Sequence, residues 1–187
     1  MENKIKNYFI TGLPKIGKTT LAKKIIDVYK NIIVGFYTEE ILKNNSRIGF
    51  KIINSNNESS IFALKHGENI DVYNGTIKHY KKYDIFIDNL EKVGIDYIEQ
   101  QFNDNNKLFL IDEVGSMEML SERFCNLVVK LLNSDKKVIL TLRANTNTFI
   151  EDIKKISFSK IIVLQRNTFD KVYNELISWI EEIKNGR

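Results

Sequence analysis

Residues 12–20 read "GLPKIGKTT", between the apolar run "YFI" and the stretch "LAKKIIDVYK", whose apolar residues recur at helical spacing. No other stretch restricts the possible folds as much. Gly12 and Gly17-Lys18-Thr19 satisfy the pattern G-x-x-x-x-G-K-[ST], the P-loop, a tight turn between a strand and a helix. The physical logic is that of an anion cradle: backbone N–H groups surround the phosphates, and the helix N-terminus points its positive end at them. The lysine of the pattern reaches the β- and γ-phosphates, and the hydroxyl binds Mg2+. At average residue frequencies a chain of this length meets the pattern by accident roughly one time in a hundred, and here the flanking strand and helix signals are also present. The sequence therefore predicts a nucleotide-binding loop over Gly12, Leu13, Pro14, Lys15, Ile16, Gly17, Lys18, Thr19 and Thr20, with Lys18 acting on the transferred phosphate and Thr19 on Mg2+.

Lys15 is a second lysine in the cradle. Either its side chain turns to solvent and only its backbone amide is used, or it adds charge beside the phosphates. A cradle built mainly from backbone, already served by Lys18, favours the first.

The remaining chain alternates strand-like and helix-like segments, which predicts an α/β domain with a mostly parallel sheet. At 187 residues it has the length of a single domain, 1–187, with a core of its own. "NYFIT" is the first strand, and Leu21, Ile25, Val28 and Tyr29 mark the apolar face of the first helix. "IIVGFYTEE" begins apolar and ends acidic, as a buried strand emerging at a functional edge does. Residues 48–64 alternate, break at an Asn/Ser turn and resume, which predicts a hairpin extending the sheet antiparallel. Residues 65–87 are polar with scattered aromatics and read as a loop or weak strands over one end of the site. A helix is expected from about Asn89 to Phe102. "KLFLIDEVG" is a buried strand, and "MEMLSERFCNLVVKLL" a helix with Met117, Leu120, Phe124, Leu127 and Leu131 on one stripe. Three further segments follow: the strand "KKVILTLR", a helix around 148–155 and the strand "KIIVLQ". The last helix is amphipathic, with Val172, Leu176, Ile180 and Ile183 inward.

Asp112 ends an apolar strand and has the residue type that completes the Mg2+ shell of a P-loop. Glu113 follows it at the mouth of the site, placed to orient and deprotonate an attacking water. "DEVG" also reads as D-x-x-G, so Gly115 either supports the γ-phosphate or merely makes the turn; no guanine-reading N-K-x-D accompanies it. Arg143 ends the next strand and is a candidate for charge stabilisation in the transition state. Glu39 and Glu40 of "TEE" belong to the same carboxyl edge, where either could assist Glu113 or stand solvated.

Composition excludes several classes. No apolar run is long enough to span a bilayer, and the N-terminus lacks a signal-peptide h-region, so a cytoplasmic location is expected. Cys125 is the chain's one cysteine and falls in an apolar helical stripe, as a buried thiol does. The two histidines, His66 and His79, do not stand at metal-ligand spacing from a cysteine or from each other. The formal charge of +4 and the lysines of "KHYKKY", residues 78–83, could attract nucleic acid, but no nucleic-acid-binding motif supports that partner. Oligomeric state is left open, with a monomer favoured.

Together, "GLPKIGKTT", "GFYTEE", "RIGF" at Arg47 to Phe50 and "LFLIDEVGSMEMLSERF" resemble the nucleoside-triphosphatase family of the thermophile-enzyme, or cancer-related NTPase, type. The resemblance covers essentially the whole chain. It implies a three-layer α-β-α, RecA-like P-loop fold and Mg2+-dependent hydrolysis of several nucleoside triphosphates to the diphosphate and phosphate. It also implies two nucleotide-binding segments, Gly12 to Thr19 and a second formed by Leu108, Phe109, Leu110, Ile111, Asp112, Glu113, Val114 and Gly115. The chain departs from that family at Lys15, where glycine is usual, at "IKHYKKYDIF" in place of a glycine-containing segment, and at "TLRANTNTF", which lacks a His-Pro. Two rival readings accompany hydrolysis: a kinase acting on a nucleotide or other small acceptor, and a nucleotide-dependent switch in which slow hydrolysis is a timer.

Overall fold

The computed structural model describes residues 4–68, 73–144 and 147–186. They form one nine-stranded sheet, in the order β5-β6-β4-β3-β2-β7-β8-β1-β9. The strands are β1 (Asn7–Thr11), β2 (Ile33–Lys43), β3 (Ser46–Asn54), β4 (Ser59–Lys65), β5 (Ile77–Tyr80), β6 (Tyr83–Phe86), β7 (Leu108–Val114), β8 (Lys137–Leu142) and β9 (Ser159–Val163). From β2 to β9 all pairings are parallel; from β2 to β5 all are antiparallel. β2 therefore belongs to both halves. The mostly parallel sheet with an antiparallel extension is as the sequence predicts, but the extension is larger than one hairpin. Residues 77–86, expected as a loop or weak strands, pair as the hairpin β5–β6; residues 69–72 of that stretch lie outside the described residues.

Helices cover both faces, because consecutive side chains on a buried strand point to opposite sides and both sides here are apolar. On one face, α1 (Lys18–Val28) and α6 (Phe169–Lys184) pack over a core with Tyr8, Ile10 and Leu110. On the other, α2 (Ile87–Leu90), α3 (Asp96–Gln101), α4 (Glu122–Asn133) and α5 (Thr148–Lys154) cover Phe9, Phe36, Phe109 and Leu140. This is the three-layer arrangement. Among the described residues no helix is long and apolar enough to cross a membrane.

Three sequence expectations need correction. The helix expected from Asn89 to Phe102 is α2 and α3 joined by a π turn over Glu91–Ile95. The helix expected from Met117 begins instead at Glu122, because Ser121 caps it, its Oγ accepting from the Phe124 N–H at 3.2 Å; such a cap stabilises by about 1 kcal/mol. Met117 and Leu120 lie outside α4, in the turn before it, while Phe124, Leu127 and Leu131 form the buried stripe. On α1 the inward face is Leu21, Ala22, Ile25 and Ile26, and Val28 is exposed. Cys125 is half-buried beside the core, and burial raises its thiol pKa.

Candidate functional site

The carboxyl ends of β1, β7 and β8 converge, since all three are parallel and adjacent. β1 leads into the loop 12–17, and α1 starts at Lys18. Gly12 and Gly17 have φ of 154° and 112°, backbone conformations that side-chain-bearing residues rarely adopt. A Cβ on Gly12 would also come within 2.8 Å of the Leu164 carbonyl oxygen. Gly17 is the N-cap of α1, with no side-chain cap and no acidic residue in the first turn. The first-turn N–H groups thus lack a carboxylate or hydroxyl competitor, and the helix dipole leaves this end positive.

Lys15 has φ of 63°, in the left-handed region. That conformation explains why glycine would suit the position. Its side chain is exposed and lines an open recess of about 280 Å3 with Glu40, Arg47, Lys65 and Lys82. Lys15→Gly is expected to raise stability by up to about 1 kcal/mol, the left-handed penalty less the added chain entropy of glycine, and to keep turnover within a few fold. Urea unfolding and initial rates check this; a loss of turnover approaching that of Lys18→Ala would show that the Lys15 ammonium itself acts on the phosphates.

Lys18 is 8% exposed. Its Nζ donates to the Gly12 carbonyl oxygen at 3.2 Å and pairs with Glu113 Oε2 at 3.4 Å. The two side chains assigned different tasks by the sequence are thus in contact. Asp112, 1% exposed, accepts from the Thr141 hydroxyl through Oδ1 at 2.5 Å, while its Oδ2 is buried without a hydrogen-bond partner. Burial pushes the Asp112 carboxyl up to about 6, against the pull of the neighbouring Thr141 and Thr19 hydroxyls. A buried carboxylate oxygen with no donor is what a cation would satisfy. The Asp112 carboxylate and the Thr19 hydroxyl, hard oxygen ligands of the kind Mg2+ takes, therefore fit the shell expected of them. The Asp112–Glu113 peptide bond is cis.

Arg143 stands just beyond β8, with its Nη1 donating to Ser116 Oγ at 2.9 Å. Tyr80 of the β5–β6 hairpin reaches the same pair, and the Ser116 hydroxyl and Arg143 lower its phenol pKa. The structure thus brings Arg143 to the turn after β7, although the contact it makes there is with Ser116. Glu39 and Glu40 are engaged elsewhere. Glu39 pairs with Lys23 of α1 and with Lys51 of β3, and Glu40 pairs with Arg47. They fasten α1 and β3 to β2 and are committed to cations other than those at Glu113.

Sequence reading overlooked Glu118. It follows Gly115 by three residues and is 3% exposed. A Cβ on Gly115 would lie 2.6 Å from its Oε2, so the glycine of "DEVG" leaves room for this carboxyl. Burial, then the charges of Glu113 and Asp112, push Glu118 up to about 8. An acid in a run such as "SMEML" gives no local sign of burial. The fold turns it inward through the 3-10 turn Glu118–Leu120.

The raised value has a consequence for stability. Unfolded, Glu118 ionises near its ordinary 4.5; folded, near 8. Between those values the native state holds a proton that the unfolded chain has released, so stability falls as pH rises, by on the order of a few kcal/mol across the window. In nucleotide-free protein with metal chelated, Glu118→Gln is expected to flatten the decline in unfolding free energy between pH 5 and 8. An unchanged slope would place the proton elsewhere.

Comparison with known proteins bears on the family and the fold. The family described as NTPase matches residues 7–177. The chain is similar to the nucleoside-triphosphatase THEP1 of Thermotoga maritima, 36% identical over 90% of this chain and 92% of that one. It is also similar to that of Methanocaldococcus jannaschii, 35% identical over 92% and 98%. Its fold matches the crystal structure of THEP1 from Aquifex aeolicus with a TM-score of 0.81 at 28% identity, covering 94% of this chain and 99% of that one. It also matches the solution structure of a human cancer-related nucleoside triphosphatase, TM-score 0.71 at 19% identity over 95% and 98%, a likeness of fold.

Proposed function

Since this chain belongs to the NTPase family, we propose that it hydrolyses nucleoside triphosphates to the diphosphate and phosphate with Mg2+, using water as the acceptor. The observation that carries this reading is the contact of Lys18 with Glu113, 3.4 Å, beside the unpartnered oxygen of Asp112. It supports the reading because the residues proposed as phosphate-binding cation, general base and metal ligand lie close together.

Thr19 and Asp112 would hold the Mg2+, which supplies charge neutralisation on the β- and γ-phosphate oxygens. The loop N–H groups and the N-terminus of α1 bind and orient the phosphate chain. A triphosphate entering the cradle competes with Glu113 for the Lys18 ammonium. Once Lys18 turns to the phosphates, the Glu113 carboxylate is released to accept a hydrogen bond from water. As the water oxygen bonds to the γ-phosphorus, its proton passes to Glu113 and the bond to the β-phosphate oxygen breaks. Arg143 would act on charge spreading over the γ-phosphate oxygens after leaving Ser116.

Product analysis tests the reading: each common nucleoside triphosphate with Mg2+, with and without candidate acceptors, for the wild type and Glu113→Gln. Phosphate release that needs no acceptor and is lost in the variant supports hydrolysis. A phosphorylated acceptor formed in place of free phosphate would overturn it in favour of a kinase.

A further inference from the structure

The chain's two histidines, thirteen residues apart in sequence, meet in the antiparallel half of the sheet. β6 lies between β4 and β5, and its Asp84 is the direct cross-strand partner of His79 on β5. His66 immediately follows β4, and its N–H donates to the Lys82 carbonyl at 3.1 Å, which continues the ladder past the end of the strand. Both imidazoles consequently converge on a single carboxylate oxygen. His66 Nδ1 is 2.8 Å and His79 Nδ1 2.6 Å from Asp84 Oδ1, and the three ligand atoms lie within 4.8 Å of one another.

We propose that His66, His79 and Asp84 form a binding site for a divalent transition cation of the zinc class. The ligand set is two imidazole nitrogens and one carboxylate oxygen, which suits Zn2+, Co2+ or Ni2+ and not Mg2+, whose ligands are oxygens. The site is therefore chemically distinct from the one at Thr19 and Asp112. In a tetrahedral zinc shell neighbouring ligand atoms stand roughly 3.3 Å apart, so the nitrogens must draw back from Asp84 Oδ1 and the set, spread over no more than 4.8 Å, must close around the ion.

A second feature orients the ligands. His66 Nε2 lies 3.1 Å from the Lys81 carbonyl oxygen. Both nitrogens of His66 thus face acceptors, and a neutral imidazole has only one N–H to give. With Nε2–H donated to Lys81, a cation at Nδ1 takes the place of the proton that a doubly protonated ring would give to Asp84. A ligating histidine anchored through its other nitrogen to a backbone carbonyl is the usual way a protein fixes the tautomer and the ring. The carbonyl is presented by the two-residue turn between β5 and β6, in which Lys81 has φ of 56°.

Neighbouring lysines do not occupy the three ligand atoms, because their ammonium groups are held on other partners. Lys78 Nζ donates to the Leu120 carbonyl at 2.7 Å, Lys81 lies over the Tyr80 ring and Lys82 over the Tyr83 ring. A bound ion would join β4, β5 and β6 on the hairpin that carries Tyr80 to Ser116 and Arg143. It would act there as a clip on the structure bordering the nucleotide site.

The test is titration of the full chain with Co2+ and with Zn2+, in excess Mg2+ and without nucleotide, following the visible Co2+ absorption, the heat of Zn2+ binding and the thermal midpoint. The wild type is expected to bind stoichiometrically with micromolar affinity, to develop tetrahedral Co2+ bands and to melt higher with metal. His79→Gln, at a largely exposed position, should fold normally and weaken binding by at least about tenfold; His66→Gln/His79→Gln should abolish it. No binding by the wild type, or equal binding by the double variant, overturns the proposal. Neither outcome bears on hydrolysis at the P-loop, which is measured separately with Mg2+ alone.

Discussion

Glu113→Gln is expected to lower turnover by about 10^2 to 10^4, the usual contribution of a positioned general base, while nucleotide affinity holds or improves. Glutamine keeps the size and hydrogen-bonding reach of the side chain but cannot take a proton from water. The direction of the affinity change follows from the contact between Lys18 Nζ and Glu113 Oε2 at 3.4 Å. That ion pair competes with the phosphates for Lys18, and the amide competes less. A fall in turnover without a fall in binding would mark Glu113 as acting in the transition state alone. Phosphate-release rates and equilibrium binding of a nonhydrolysable triphosphate separate the two. Turnover within a few fold of wild type would remove Glu113 from the role of base.

Lys18→Ala is expected to lose both, with kcat/KM reduced by at least about 10^3 as a charge aimed at the transferring phosphate disappears from a largely enclosed site. The loss is larger than deletion of an exposed lysine would give, because Lys18 is 8% exposed and its charge is poorly screened. Lys18→Arg keeps the charge but replaces a compact ammonium with a planar fork, and should restore binding more than turnover. The combined Lys18→Ala/Glu113→Gln variant should be little worse than the poorer single variant, since the two groups serve one event. Strict additivity would indicate that they act independently and that their contact is incidental.

Much of the site is legible in sequence because it is local. The spacing from Gly12 to Thr19 encodes a turn and a helix start within one segment, and no distant residue is needed to recognise it. The position of Asp112 and Glu113 is legible for a related reason: an apolar run that ends in acids is a buried strand whose end reaches a polar edge. What escapes is whatever depends on which strands become neighbours. Glu39 and Glu40 share the acidic character of Glu113, yet pairing with Lys23, Lys51 and Arg47 commits them to holding β2 in place. Glu118 looks like a surface acid and is buried beneath Gly115. Tyr80 gives no hint in "KHYKKY" of its approach to Arg143 and Ser116.

By itself, then, the sequence determined the alternating α/β layout, the glycine turn that leads into the helix starting at Lys18, and the acidic pair that ends a buried strand, all carried by periodicity or short spacing. Only the tertiary structure decided that Lys18 rests against Glu113, that Asp112 keeps one buried oxygen without a partner, and that His66 and His79 share Asp84. The physical reason is common to all three. Charge pairing, desolvation and cation geometry depend on distances of a few ångströms between groups, and across a sheet those distances are set by strand order, which no local pattern in this chain records.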